Sequence, residues 1–267
     1  MIRAAAISLF LCIATFARAE SLDDVIKADV LSGWRTAEGT HMAGLRLTMA
    51  PGWKTYWRAP GDAGIPPTFS WRGSRNLRAV DVLWPVPQVH DQDGFRTFGY
   101  SDVVVIPIKL TPDRQNNIRL RGSVDLGVCK DVCIPATLKF RASLPNDGQK
   151  DPEVFAALLD LPLTAKEADV RDVTCRIAPT ADGLELMTQI RMPYVGNDPG
   201  EEIAVVEANN SDIWISEAST DRKGDMLTVK VEMQSDSGGP IMLDRSTLRF
   251  TVIRRTASVD IHGCKAG

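Results

Sequence analysis

The chain has 267 residues, a formal net charge of −3 and hydrophobic residues at 44% of its positions. This length suits one large domain or two small ones. The slightly acidic balance, without a Lys/Arg cluster in the sequence, argues against nucleic acid as the partner. Beyond the first 19 residues no apolar run approaches the roughly 18 residues that a membrane-spanning helix requires, so we predict a soluble protein.

The N-terminus has the pattern of a secretory signal peptide. Arg3 supplies the positive start, residues 4–16 form a short apolar run, and Ala17-Arg18-Ala19 is an A-x-A cleavage signal. We predict a cleaved signal peptide over residues 1–19, with a retained anchor as the alternative. Removal of this segment, which includes Cys12, leaves 248 residues, four cysteines and a net charge of −5. Export to an oxidising compartment makes disulfides plausible.

Residues 20–148 are predicted to form the first domain, built from strands and turns. Gly, Pro and Asp residues punctuate the segment, notably at 59–62 and at Pro66-Pro67. The predicted strands are short and rich in β-branched or alternating residues, and they cover 41–49, 77–83, 103–110, 118–126 and 136–142.

Residues 149–166 are predicted to be a linker that contains one short helix. The helix is expected over 152–160, because Asp151 is a suitable N-cap and Pro152 suits the first helical position. Residues 161–163 (LPL) end it. We therefore place the domain boundary in this segment.

A second series of strands is predicted within residues 167–267. Leu184, Leu186, Thr188 and Ile190 alternate with more polar residues, the pattern of a half-buried strand. About seven short strands with regular turns are typical of a β-sandwich. The predicted fold is therefore all-β, with two tandem immunoglobulin-like β-sandwich domains after the signal peptide. The strands of this series are 170–177, 183–191, 202–207, 212–218, 225–233, 247–254 and 257–262.

Cys129 and Cys133 are the most informative residues of the chain. Four extended residues span about 13 Å, so a disulfide between them requires a sharp bend of the backbone. A ring of five residues stabilises a fold by only about 2 kcal/mol, which favours a chemical role, either dithiol–disulfide exchange or capture of a soft metal. A static disulfide that pins a turn is the structural alternative. The order of attack is not readable from the sequence, and Lys130 makes us favour Cys129 as the attacking thiol.

Cys175 and Cys264 lie at opposite ends of the second series of strands. First and last strands of a sandwich often lie close together, so we predict a structural disulfide between them. A ring of about ninety residues stabilises by about 4.6 kcal/mol in the chain-entropy model. A second redox pair or two unpaired thiols are the alternatives.

Aromatic residues are concentrated between residues 51 and 100. Within residues 94–100 (GFRTFGY), Phe95, Phe98 and Tyr100 lie in a Gly-flanked stretch after a Pro-rich turn. We predict that this stretch is a mobile flap that shields the cysteines from water and from stray thiols.

Four motifs resemble a known family in the expected order: residues 51–67 (PGWKTYWRAPGDAGIPP), 84–87 (WPVP), 99–108 (GYSDVVVIPI) and 127–136 (GVCKDVCIPA). They are similar to the periplasmic N-terminal domain of the DsbD/ScsB thiol–disulfide reductases. The resemblance covers about residues 22–145. The segment after residue 165 resembles, less closely, the second immunoglobulin-like domain of the ScsB branch.

The resemblance implies a periplasmic protein-disulfide reductase component without a cofactor, whose Cys129–Cys133 pair relays electrons. In this family a membrane-embedded thiol reductase reduces the pair, which then reduces periplasmic thioredoxin-like proteins, including those of cytochrome maturation. Residues 91–100, with Phe95 and Phe98, correspond to the cap loop of the family. Tyr56 and Trp57 fall where the family has aromatic residues beside the cysteines.

Two departures from the family keep other functions open. The cysteines have three residues between them, as in the ScsB branch, and no membrane or thioredoxin domain follows within the sequence. The main alternative is a Cu(I)-binding or copper-delivery protein that uses the same thiolates, with His41, His90 and His262 as the only candidate histidines. A third reading is a binding or assembly module with an inert disulfide.

Overall fold

The computed structural model describes residues 21–61, 63–92, 94–194, 202–255 and 257–267. The predicted signal peptide, with Cys12, lies outside the described residues. Nearly all regular structure in the described part of the chain is β-strand, which confirms the all-β prediction. Within the same ranges, no helix combines the length and apolar character needed to cross a membrane.

The first part of the chain, residues 21–148, forms one short helix and two sheets. A four-stranded sheet has the order β1-β2-β8-β5, and a six-stranded sheet has the order β10-β9-β3-β7-β6, with β4 paired to β9. The helix is α1 (Leu22–Val25), and the strands are β1 (Ile26–Arg35), β2 (His41–Met49), β3 (Lys54–Tyr56), β4 (Thr68–Ser70), β5 (Ala79–Val82), β6 (Gln88–Gln92), β7 (Phe95–Ser101), β8 (Val103–Thr111), β9 (Ile118–Cys129) and β10 (Cys133–Leu144).

Alternation along the strands builds the core of the first part. In β9, Ile118, Leu120, Val124 and Leu126 are buried, while the residues between them are mostly exposed. Each such side chain contributes about 1.5–3 kcal/mol when it is fully buried. The sequence pattern therefore sets which face of β9 packs inward.

Strand β1 was not predicted, because its pattern is interrupted. The register with β2 shifts between Leu31 and Trp34, and Gly33 has a φ of 64° at this irregularity. A Cβ atom at Gly33 would lie only 1.8 Å from the carbonyl oxygen of Met42. Glycine is therefore required where the two backbones approach, and it masks the strand in the sequence.

Helix α2 (Pro152–Leu159) forms where the sequence predicts a helix. The Asp151 carboxylate accepts hydrogen bonds from the backbone N–H groups of Glu153 and Val154, as an N-cap does. Val154 is fully buried, and a Cβ atom at Gly44 of β2 would meet its side chain. The helix thus packs directly on the four-stranded sheet.

The second part, residues 163–267, also contains a four-stranded and a six-stranded sheet. Their orders are β11-β19-β18-β14 and β15-β17-β13-β12-β20, with β16 paired to β17. A short 3-10 helix covers Arg245–Thr247. The strands are β11 (Leu163–Thr164), β12 (Asp172–Pro179), β13 (Leu184–Arg191), β14 (Ile203–Glu207), β15 (Ile213–Ile215), β16 (Ser219–Lys223), β17 (Met226–Ser235), β18 (Arg249–Ile253), β19 (Ser258–His262) and β20 (Lys265–Ala266).

The two parts of the chain are in direct contact. Ile253 of β18 belongs to the buried core of the first part, and Ile203 and Val205 of β14 pack against that core. Strand β14 is also the last strand of its sheet. One edge of the second part therefore packs against the first part through apolar side chains.

Candidate redox site

The candidate site is the cysteine hairpin, residues 129–133, which connects β9 to β10. Cys129 and Cys133 are paired across the two strands, and the Lys130 N–H donates to the Val132 carbonyl oxygen at 3.1 Å. A loop of three residues thus reverses the chain. The two cysteines form a disulfide with their Cα atoms 4.1 Å apart. The sharp bend that the spacing required is the turn of a β-hairpin.

Burial separates the two cysteines. Cys129 is 2% exposed, whereas Cys133 is an exposed residue. The neighbours of Cys133 are also accessible, since Val132 is 65% and Ile134 36% exposed. A partner can therefore approach Cys133 and its apolar surroundings first. Accessibility therefore favours Cys133 as the reacting sulfur, whereas the charge of Lys130 had favoured Cys129.

Tyr56 is the polar side chain that contacts both sulfur atoms. Its hydroxyl donates to Cys129 Sγ at 3.0 Å and lies 3.4 Å from Cys133 Sγ. Strand β3 runs between β7 and β9, which places Tyr56 beside Cys129 although 73 residues separate them. Tyr56 is only 3% exposed, and burial raises the pKa of its hydroxyl. The hydroxyl is therefore a protonated donor at neutral pH.

Trp57 lies in the core of the first part. Its side chain is fully buried and packs edge-on against Phe98, with ring centroids 6.3 Å apart. Trp57 directly follows β3, and its ring packs into the core, whereas the Tyr56 hydroxyl reaches the hairpin. Of the two flanking aromatics in the prediction, Tyr56 is the one at the disulfide.

The predicted flap is a regular part of the sheet. Residues 95–101 form β7, which pairs with β6 and β3. Phe98 and Tyr100 are buried in the core, and the Tyr100 hydroxyl donates to the Pro85 carbonyl oxygen at 2.8 Å. Phe95 alone of the three is accessible, at 57% exposure. The prediction of a mobile flap is therefore wrong for Phe98 and Tyr100, because their side chains fill the core.

A different segment, the 59–66 loop, packs against Tyr56. Residue 62 of this loop lies outside the described residues. A Cβ atom at Gly64 would lie 2.2 Å from Pro60 and 3.0 Å from the Tyr56 ring, and a Cβ atom at Gly127 would lie 2.9 Å from Ile65. The loop therefore covers the face of Tyr56 and of β9 next to the buried sulfur. Apart from its place in one family motif, this segment was predicted only to form turns, and its many prolines and glycines were the available signal.

The three histidines lie in separate environments. His41 is fully buried with its Nε2 atom 2.6 Å from the Ser32 carbonyl oxygen, and His262 lies 3.2 Å from Asp260 in the second part of the chain. His90 lies in β6, and burial lowers its pKa. Within the described ranges, no group of three or more His, Cys, Asp or Glu side chains is arranged to hold a metal ion.

Cys175 and Cys264 form the second disulfide, with their Cα atoms 5.7 Å apart and a sequence separation of 89. Cys175 is fully buried in β12, and β20, directly after Cys264, pairs in parallel with β12. The bond thus joins the C-terminal end of the chain to β12, which pairs with β13 on its other side. Its burial distinguishes it from the exposed hairpin.

The site is thus a disulfide in a β-hairpin of an all-β protein, with one accessible sulfur and a protonated donor on the buried one. Residues 23–145 match the model of the family "Thiol:disulfide interchange protein DsbD, N-terminal". The match spans all four sequence motifs and confirms the resemblance of this part of the chain to that family.

A solved structure has the same fold over most of the chain. It is the N-terminal periplasmic domain of ScsB from Proteus mirabilis, with a TM-score of 0.68 and 23% sequence identity. The match covers 91% of this chain and 95% of that one. No curated protein sequence matches the chain significantly. These comparisons give the copper alternative no support.

Proposed function

We propose that the protein carries out thiol–disulfide exchange through Cys129 and Cys133. The observation that carries this proposal is the asymmetry of the pair: Cys133 is exposed, and Cys129 is buried against the Tyr56 hydroxyl. An accessible sulfur suits attack by a partner, and a buried sulfur with a hydrogen-bond donor suits a leaving group. The family whose model matches residues 23–145 supports the same chemistry.

In the reductive direction, a partner thiolate attacks Cys133 Sγ and forms a mixed disulfide. The Cys129–Cys133 bond breaks, and its electron pair goes to Cys129 Sγ as a thiolate. The Tyr56 O–H stabilises this charge through a charge-assisted hydrogen bond. The partner's second thiolate then attacks the partner sulfur of the mixed disulfide. This closes a disulfide within the partner and releases Cys133 as a thiolate. Two electrons thus enter the Cys129–Cys133 pair, and the two thiols of the partner become a disulfide.

In the opposite direction, the Cys133 thiolate attacks a substrate disulfide, and Cys129 resolves the mixed disulfide. We propose that a membrane-embedded thiol reductase supplies the electrons and that thioredoxin-like proteins receive them. Exposed Val132 and Ile134 give both partners an apolar surface beside the reacting sulfur. Cytochrome maturation is one process that such receivers would serve.

We further propose a periplasmic location after cleavage of residues 1–19. The matched structure is described as a periplasmic domain, and an oxidising compartment suits two disulfides. In this proposal residues 20–148 and 167–267 are two immunoglobulin-like sandwiches joined by the 149–166 linker. The two pairs of sheets and their separate cores support this division.

Single-cysteine variants test the proposal. Cys129→Ser keeps the exposed Cys133 thiol, and Cys133→Ser keeps only the buried one. With oxidised glutathione, we expect Cys129→Ser to form a mixed disulfide much faster than Cys133→Ser, as followed by intact-mass spectrometry after acid quenching. Equal rates, or a faster Cys133→Ser, would contradict the assigned roles. A wild-type pair that does not equilibrate with glutathione buffers would refute the exchange function itself.

A further inference from the structure

Arg58 connects the segment that carries Tyr56 to the second part of the chain. Its guanidinium lies over the Trp57 ring at 3.9 Å from the centroid. Its Nε and Nη2 atoms donate to the two carboxylate oxygens of Glu207, at 3.1 and 3.0 Å. The Arg58 side chain is only 10% exposed. This is a two-pronged ion pair in a largely dry environment, the geometry that arginine holds best.

The acceptors of Arg58 come from three strands of one sheet in the second part. Besides Glu207 on β14, Thr251 of β18 accepts from Nη2 at 3.0 Å, and Asp260 of β19 lies 3.9 Å away. Asp260 also pairs with Arg249. Two cations and two anions thus balance at the contact, and the sheet fixes where Arg58 can lie.

The 59–66 loop begins directly after Arg58. Pro60 and Gly64 of this loop pack together beside the Tyr56 ring. A second ion pair lies alongside, because Arg96 Nη1 is 2.9 Å from Glu217 and the Arg96 carbonyl oxygen lies against Gly61. A cleft of about 590 Å³ separates the loop from the facing strands of the second part. The two ion pairs therefore lie at the start of the loop, one at Arg58 and one beside Gly61.

We propose that Arg58, anchored by Glu207, is a positioning residue for the exchange reaction: it fixes the 59–66 loop and thereby holds the Tyr56 hydroxyl on Cys129 Sγ. The second part of the chain then tunes a disulfide that it does not touch. This inference rests on the proposed exchange function. It assigns the second part a role in the chemistry of the cysteine hairpin.

The test is the rate at which dithiothreitol reduces the Cys129–Cys133 disulfide in the full chain. Glu207→Gln removes the charge from the anchor but keeps its shape. The matched control is Glu202→Gln, which weakens the Arg222–Glu202 pair inside the second part, a pair that is also largely buried. We expect Glu207→Gln to slow reduction by about two- to tenfold, because misplacing the Tyr56 hydroxyl cannot slow the reaction more than removing it does. We expect Glu202→Gln to leave the rate unchanged.

A double-mutant cycle with Tyr56→Phe separates positioning from general destabilisation. If Glu207 acts through the Tyr56 hydroxyl, Glu207→Gln has no further effect on the rate in the Tyr56→Phe background. An unchanged rate in Glu207→Gln alone, or the same slowing in both backgrounds, would overturn the inference. If Glu207→Gln does not fold, Thr251→Val removes one acceptor of Arg58 and is held to the same criterion. Failure of the wild-type disulfide to react would refute the exchange function instead.

Discussion

The hydrogen bond from Tyr56 to Cys129 makes a quantitative prediction about exchange. In Tyr56→Phe the ring that packs under the 59–66 loop is kept, and only the hydroxyl 3.0 Å from Cys129 Sγ is lost. A hydrogen bond to a charged group contributes about 1.5–3 kcal/mol. If about half of the thiolate charge has developed in the transition state, the barrier rises by about 0.8–1.5 kcal/mol. Reduction should slow by about four- to thirteenfold.

The assay is stopped-flow reduction of the oxidised protein by dithiothreitol at neutral pH. Burial raises the pKa of the Tyr56 hydroxyl, so the donor stays protonated at this pH. Tyr100→Phe is the matched control, because Tyr100 is equally buried but donates to the Pro85 carbonyl oxygen rather than to sulfur. We expect the control to react at the wild-type rate.

A Tyr56→Phe protein that reacts within about twofold of the wild type would refute the reasoning, since the smallest expected effect is larger. Equal slowing in Tyr100→Phe would also refute it. That result would trace the effect to packing of the first part rather than to the hydrogen bond on Cys129.

Three further predictions concern stability. Burial lowers the pKa of His41, so the unfolded chain binds a proton at this histidine more readily than the folded chain does. The free energy of unfolding, measured by urea denaturation, should therefore fall as the pH drops below 6.5. The fall should be smaller in His41→Asn. Arg141→Glu should stabilise the fold by about 0.2–1 kcal/mol, because Arg141 faces Arg121 across β10 and β9; destabilisation relative to Arg141→Gln would contradict this. Cys264→Ser should cost about 4.6 kcal/mol under non-reducing conditions by opening the Cys175–Cys264 ring, and a cost below about 1 kcal/mol would exclude a structural disulfide.

Local signals in the sequence predicted much of the framework. Most predicted strands and the helix at Pro152–Leu159 lie where the residue patterns placed them, because alternation and capping depend on neighbours a few positions apart. The bend between Cys129 and Cys133 was predictable for the same reason. A disulfide between cysteines four residues apart requires a tight reversal of the chain, because its two Cα atoms must lie close together.

Short or interrupted strands were not predictable in this way. Strand β3 has only three residues, and the sequence of β7 includes a glycine that suggested a flap. Phe98 is buried because β7 pairs with β3 and β6, and that pairing is invisible to a local pattern. The flap prediction failed at this point.

The chemistry of the site was decided by contacts between distant residues. Tyr56 meets Cys129 across 73 positions, and Arg58 meets Glu207 across 149. The sequence alone identified the cysteines, the all-β fold and the family motifs, since these depend on composition and on residues close together in the chain. Only the tertiary structure decided which sulfur is exposed, which hydroxyl donates to the buried sulfur, and which loop packs over that hydroxyl's ring. The reason is that burial is a property of the packed sheets.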